Sequence, residues 1–328
     1  MGRHSSAAGA GGKTLGSSAK ALSLARISAA RPPALFRGGE SAKYWPMKEQ
    51  EILEREFQDT RSIKIHDAAG FEGMRRAGRL AAETLDFIAP YVRPGVTTED
   101  LDRLCHDFIR DHGAIPAPLG YRGFPKSICT SINHVVCHGI PGEKKLAAGD
   151  VMNIDVTVIL DGWYGDTSRM FYVDEVKLLA RRLCEITHEA MMRGIEVVKP
   201  GARLGDIGYA IQSFVEANRF SVVRDFCGHG LGRIFHDAPN ILHYGKANEG
   251  PELREGMIFT IEPMINLGKP HVKILSDGWT AVTRDRSLSA QFEHSIGVTA
   301  TGYEIFTLSP KGWHIPPYPV EAAGGKDA

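Results

Sequence analysis

The chain has 328 residues, with 39 Lys and Arg against 39 Asp and Glu and 43% apolar residues. A formal net charge of zero leaves no global basic field to favour nucleic acid, and no apolar run approaches the length of a membrane span. The five cysteines, Cys105, Cys129, Cys137, Cys184 and Cys227, are odd in number and form no C-x-x-C pair, which argues for reduced thiols in a cytosol-like compartment.

Residues 1–45 differ in kind from the rest. Up to Gly39 there are six Arg or Lys and no Asp or Glu, among many Ala, Ser and Gly, a composition that cannot bury enough surface to fold alone. Disorder is expected there. The stretch reads as an organellar transit peptide, as an upstream-start artefact with Met47 as the internal start, or as a basic tail drawn to ribosomal RNA. Residues 46–66 form a connecting segment.

From residue 67 the patterns become regular. Asp67 caps an amphipathic helix running through Phe71, Leu80, Leu85 and Ile88 and ending before Pro94-Gly95, and Thr97 with Asp100 makes a capping box for the next helix. Further helices are expected from about Val176 and Leu204. Between them, N-I-D-V-T-V-I-L-D-G-W-Y-G-D-T-S-R-M-F reads as two strands joined by the two-residue turn Asp161-Gly162. That turn sets Asp155 opposite Ser168 and Asp166 opposite Thr157. All four then share one face, with the two aspartates roughly 7 Å apart, a separation suited to two metals about 3.5–4 Å apart. Hairpins mixed with helices indicate an α+β fold rather than a doubly wound parallel sheet. Residues 67–312 are expected to form the single catalytic domain and 313–328 a Pro-rich tail.

The chain also repeats itself. L-A-A-G-D-V-M-N-I-D from Leu146 aligns without a gap on L-R-E-G-M-I-F-T-I-E from Leu253, and V-R-P-G-V-T-T-E-D-L from Val92 aligns on V-K-P-G-A-R-L-G-D-I from Val198. Two elements in one order at nearly one offset indicate a duplication, which makes Asp155 and Glu262 equivalent. His229 lies in C-G-H-G-L-G-R, where glycines are expected to let a metal or substrate near the backbone. Glu293 lies in the alternating run L-S-A-Q-F-E-H-S-I-G-V, which puts it on one face with Gln291. Four carboxylates and one imidazole, Asp155, Asp166, Glu262, Glu293 and His229, make a site for two divalent ions of the Co, Mn, Fe or Zn kind. There is no H-E-x-x-H, P-loop or G-x-S-x-G.

The motifs S-I-N-H-V-V-C-H-G-I-P, N-I-D-V-T, G-D-T-S-R-M-F, C-G-H-G-L-G-R-I-F-H, T-I-E-P-M-I and S-A-Q-F-E-H-S resemble those of bacterial-type (type I) methionine aminopeptidases, in wording closest to alphaproteobacterial members. The resemblance covers Asp67 to Leu308. It implies the pita-bread fold, a curved antiparallel sheet backed by helices, and removal of the initiator methionine from nascent chains. It implies that Asp166 and Glu293 bridge the ions, that Asp155 binds one and that His229 with Glu262 binds the other. Glu262 would carry the water's proton, and His138 and His236 would contact the scissile region. Tyr121, Phe124, Cys129, Phe235 and Trp279 match the methionine pocket, with Pro118 a departure where relatives often carry Cys. Asn133, Val135 and Ser289 match a monovalent-cation site. The implied setting is a monomer in a bacterial cytoplasm, acting near the ribosome and apart from DNA and membrane; the alternative is a mitochondrion or other organelle. Two other functions stay open, a proline-specific aminopeptidase or prolidase and a non-catalytic pita-bread peptide-binding module. Prolidases usually carry a larger N-terminal domain, and non-catalytic relatives characteristically lose ligands.

Overall fold

The computed structural model describes residues 63–319. The basic stretch 1–45, the Met47 start, the connecting segment up to residue 62 and the tail from residue 320 lie outside the described residues.

Among the described residues four α-helices form, the first two on the caps read at Asp67 and Thr97 and the other two near the starts expected at Val176 and Leu204. Helix α1 (Ala68–Ile88) is capped by Asp67, whose Oδ1 accepts from the Gly70 N–H. Helix α2 (Thr98–Asp111) opens on the Thr97 and Asp100 capping box. In the second half, α3 spans Leu178–Glu196 and α4 spans Leu204–Ala217. The first half carries strands β1 (Ile115–Pro116), β2 (Cys129–Ile132), β3 (Val135–Cys137), β4 (Val151–Leu160) and β5 (Trp163–Tyr172). The second carries β6 (Ser221–Val222), β7 (Gly228–Gly230), β8 (Asp237–Ile241), β9 (Ile258–Ile261), β10 (Met264–Asn266), β11 (Val272–Ile274), β12 (Ala281–Thr283), β13 (Ser289–Gln291), β14 (His294–Val298) and β15 (Tyr303–Ile305). Every strand pairing among the described residues is antiparallel.

The duplication is written into the hydrogen bonds. Gly95 N–H donates to Leu146 O and Leu146 N–H to Val96 O, just as Gly201 N–H donates to Leu253 O and Leu253 N–H to Ala202 O. Gly149 (φ 91°) and Gly256 (φ 87°) make the matching left-handed turns into β4 and β9. The pairing register repeats as well: Ile154 with Arg169 and Thr157 with Asp166 in the first half correspond to Ile261 with His294 and Met264 with Gln291 in the second.

Each half buries its sheet under its own helices. Leu85, Ile88, Leu101 and Ile109 of α1 and α2 pack on Met152, Ile154, Val156 and Phe171 of β4 and β5. Leu183, Met191, Ile207 and Ile211 of α3 and α4 pack on Phe259, Ile261, Phe292 and Ile296. Apolar residues of β4 therefore alternate away from the face that holds Asp155 and Thr157. That division frees one face of each sheet for polar groups.

The segments flanking the domain are tied to it. His66 N–H donates to Gly256 O, and Ile63 joins the core of the second half. At the other end Tyr318 donates to Met170 O, and Arg169 donates to Trp313 O while pairing with the buried Asp86 at 2.8 Å. The tail up to Pro319 is thus packed against the domain rather than separate from it.

Candidate metal centre

The hairpin of β4 and β5 turns at Asp161 (φ 52°) and Gly162 (φ 78°), the two positive φ angles of a type I′ turn. Its register sets Asp155 across from Ser168 and Thr157 across from Asp166. Thr157 Oγ1 donates to Asp166 Oδ1 at 2.7 Å. Glu262 follows β9 directly, its N–H donating to His243 Nε2 at 3.1 Å. Glu293 occupies a break between β13 and β14, where the alternating run expected to be one strand divides into two. There Glu293 N–H donates to Ser168 O across the junction of the halves.

His229 sits on β7 between Gly228 and Gly230, and the reason for these glycines differs from the expected one. A Cβ on Gly228 would stand 2.4 Å from Thr260 O, and one on Gly230 would stand 2.0 Å from Ala238 O. It is the backbones of neighbouring strands that need the room.

These elements bring the candidate ligands together. One ligand atom from each of Asp166, His229 and Glu293 lies within 4.8 Å of the others, and all three residues are buried. His229 Nε2 is 3.6 Å from both Asp166 Oδ2 and Glu262 Oε1. His229 Nδ1 lies 3.1 Å from Gly230 O, which can only accept, so Nδ1 carries the proton and Nε2 presents its lone pair to the acids. Burial holds His229 at about 4, so the ring is neutral.

The acids fit a cation. Burial pushes the Asp155 carboxyl up to about 7. Burial and then the Asp155 charge push Asp166 well above the usual range. Burial and then Asp166 do the same to Glu262 and Glu293. Four carboxyls that destabilise one another's ionised form are reconciled by a divalent ion among them. Ser168 Oγ and Gln291 Oε1 beside them are buried without a protein hydrogen-bond partner.

Several of the other candidate residues pack beside this cluster. His236 packs tilted against His229 with ring centroids 4.3 Å apart, and its Nδ1 lies 3.0 Å from the Tyr121 hydroxyl. Burial, then His229 and His138, lower His236 well below its ordinary value, and burial holds His138 at about 4. Tyr121 and Phe235 pack at 4.8 Å. Trp279 meets Phe124 at 5.2 Å and His138 at 6.2 Å. Cys129 pairs across β2 and β4 with Asp155. Pro118 is buried ahead of this aromatic wall. Asn133 (φ 56°) accepts from Ser289 N–H, which seats it beside Ser289 and two residues before Val135.

Two contributors, Thr260 and His243, had no signal of their own in the sequence, and a third, Gln291, was read only as sharing a face with Glu293. Thr260 and Gln291 both donate to Glu262, at 2.8 and 3.2 Å, and His243 takes its backbone N–H. For Gln291 the duplication supplies a signal, because the repeated register makes it the counterpart of Asp166.

Two duplicated halves that converge a neutral imidazole and four buried or half-buried carboxyls define a protein built around divalent cations. The model of metallopeptidase family M24 matches residues 72–300, and the chain belongs to that family. It is 66% identical over 259 residues to the methionine aminopeptidase of Rickettsia prowazekii (strain Madrid E), covering 78% of this chain and 100% of the relative. The crystal structure of methionine aminopeptidase from Rickettsia prowazekii superposes with a TM-score of 0.75, covering 75% of this chain and 100% of that one. A prolidase from Pyrococcus furiosus, 20% identical with a TM-score of 0.58 over 74% of this chain and 65% of that one, shares the fold.

Proposed function

We propose that this protein is a methionine aminopeptidase that removes the N-terminal methionine from peptides and nascent chains. The observation that carries the reading is the convergence of Asp166, His229 and Glu293 within 4.8 Å, beside the aromatic wall of Tyr121, Phe235, Phe124 and Trp279. The 66% identity to a methionine aminopeptidase supports it against the prolidase reading, for which the likeness reaches the fold only. All five candidate ligands are present, which argues against a non-catalytic module.

Asp155, Asp166, His229, Glu262 and Glu293 would hold two divalent ions of the Co, Mn, Fe or Zn kind, with Asp166 and Glu293 shared between them. Ions held by these residues would supply a lowered pKa for water and polarisation of a carbonyl. Glu262, gripped through both oxygens by Thr260 and Gln291, is oriented to take the proton of the attacking water and deliver it to the leaving amine. His138 and His236 are neutral, so they act at the scissile carbonyl as hydrogen-bonding groups without adding charge. The pocket of Tyr121, Phe124, Cys129, Phe235 and Trp279 receives the unbranched thioether, whose sulfur packs favourably on aromatic rings. Asn133, Val135 and Ser289 would hold a monovalent cation that braces the strands behind the site. The enzyme works as a monomer in the cytoplasm on chains leaving the ribosome, and no described helix is long and apolar enough to cross a membrane.

The test is turnover by the metal-reconstituted protein of Met-Ala-Ser, Ala-Ala-Ser and Ala-Pro. Release of methionine from the first alone is expected. Preferred cleavage of Ala-Pro would favour the prolidase reading, and no cleavage of any would favour the binding module.

A further inference from the structure

Four buried hydroxyls lie behind the acidic cluster, and they serve its members unequally. Thr157 donates to Asp166 Oδ1, Thr167 to the Glu293 carbonyl at 2.7 Å, and Ser295 to the Asp166 carbonyl at 2.6 Å. Thr260 alone among them joins two ligands: its Oγ1 accepts from the His229 backbone N–H at 3.0 Å and donates to Glu262 Oε1 at 2.8 Å. Its one proton is therefore committed to Glu262 and a lone pair to the strand that carries His229. The side chain is wholly buried, and its β-branch restricts rotation about χ1. A Cβ on Gly228 would come within 3.1 Å of this hydroxyl, so the glycine before His229 is what allows Thr260 to reach β7. Asp155 has no comparable support, since the hydroxyl of Ser168 across from it makes no protein hydrogen bond.

We propose that Thr260 is a positioning residue that couples His229 to Glu262, so that the affinity of the ion held by this pair depends on its hydroxyl while the ion held by Asp155 does not. The inference rests on the two-ion reading above. Partners that orient a ligand from behind typically change metal affinity by about 10–100-fold when removed. Valine keeps the shape of threonine and loses the hydroxyl; serine keeps the hydroxyl and loses the methyl.

The experiment is calorimetric titration of Mn²⁺, under inert gas, into the metal-stripped full chain and its Thr260→Val and Thr260→Ser variants, with thermal unfolding to verify the fold. For Thr260→Val, one class of site should weaken by about 10–100-fold and the other should keep its affinity. Thr260→Ser should bind as the parent does. Should the valine variant fail to fold, Thr260→Ala carries the same expectation. Unchanged affinities in the variant without the hydroxyl, equal weakening of both classes, or a serine variant as weak as valine would each overturn the role of Thr260. A parent protein that binds fewer than two ions would instead overturn the two-ion reading.

Discussion

Ser168 and Glu293 pair with each other across the junction of the two halves, and each holds the other's place in its own half. Asp155 lies opposite Ser168 on the first hairpin, and the repeated register sets Glu262 opposite Glu293 on the second. The pseudo-two-fold axis thus passes between Ser168 and Glu293. It also makes Asp166 and Gln291 counterparts, through the pairs Thr157 with Asp166 and Met264 with Gln291. The centre is therefore built on symmetric positions but with asymmetric chemistry. Each half contributes two acids, and in each the remaining place is a neutral group, serine or glutamine.

Asp166 lies 3.6 Å from His229 Nε2, and burial and then its charge raise the carboxyls of Glu262 and Glu293. Asp166→Asn puts a neutral amide where an anion would be shared between cations, so turnover of Met-Ala-Ser should fall to a few per cent or less. Metal analysis of the purified variant should show reduced occupancy. Substantial activity with unchanged metal content would remove Asp166 from its bridging role.

Gly230 is next. Its missing Cβ is needed for the approach of β8, because Ala238 O lies 2.0 Å from where that atom would be. Gly230→Ala should cost about 1–3 kcal/mol of stability, the usual range for overpacking, and should shift His229 enough to weaken metal binding. Denaturant unfolding measures the first and metal titration the second; an alanine variant as stable as the parent would show that the strands can part freely.

The pocket can be tested without replacing a ligand. Cys129→Trp fills space beside Asp155, so the KM for methionyl peptides should rise, or cleavage cease, with bound metal retained. Metal lost in proportion to activity would instead report a damaged fold.

The raised carboxyl values also make a pH prediction for the metal-stripped protein. His138 and His229, at about 4, and His243, at about 3, lie below the ordinary imidazole value of 6.5, so above that value they are neutral both folded and unfolded. The carboxyl of Asp155 titrates at about 7 when folded against 3.8 ordinarily, so the folded chain holds a proton that the unfolded chain releases. That contribution to stability is present at low pH and is lost as pH rises through the folded value. Thermal unfolding between about pH 6.5 and 8 should therefore show the stripped protein losing stability, and the metal-loaded protein resisting that loss. A flat profile for the stripped protein would mean that its acids are already ionised.

Much of this centre was legible in the sequence because backbone geometry is periodic. Asp161-Gly162 specifies a two-residue turn, which sets the register and hence the shared face of Asp155 and Asp166. The offset between Leu146 and Leu253 specifies the equivalence of Asp155 and Glu262. Thr260 and His243 were not legible: neutral residues that reach a ligand through tertiary contacts leave no spacing to read. The break at Phe292 and Glu293 was hidden for a similar reason, since it lies where Glu293 bridges to Ser168 of the first half, between the pairing of β13 with β10 and that of β14 with β9. The glycines around His229 were visible, but only the packed strands show that the space is for backbone and not for substrate.

In the proposed centre, acids from both halves share one pair of cations. Anomalous scattering from crystals of the full chain grown with Mn²⁺ tests it most directly. Two adjacent peaks are expected, enclosed by Asp155, Asp166, His229, Glu262 and Glu293, with Asp166 and Glu293 reaching both; an enclosure without peaks while the crystals hold Mn²⁺ elsewhere would contradict a shared pair of cations.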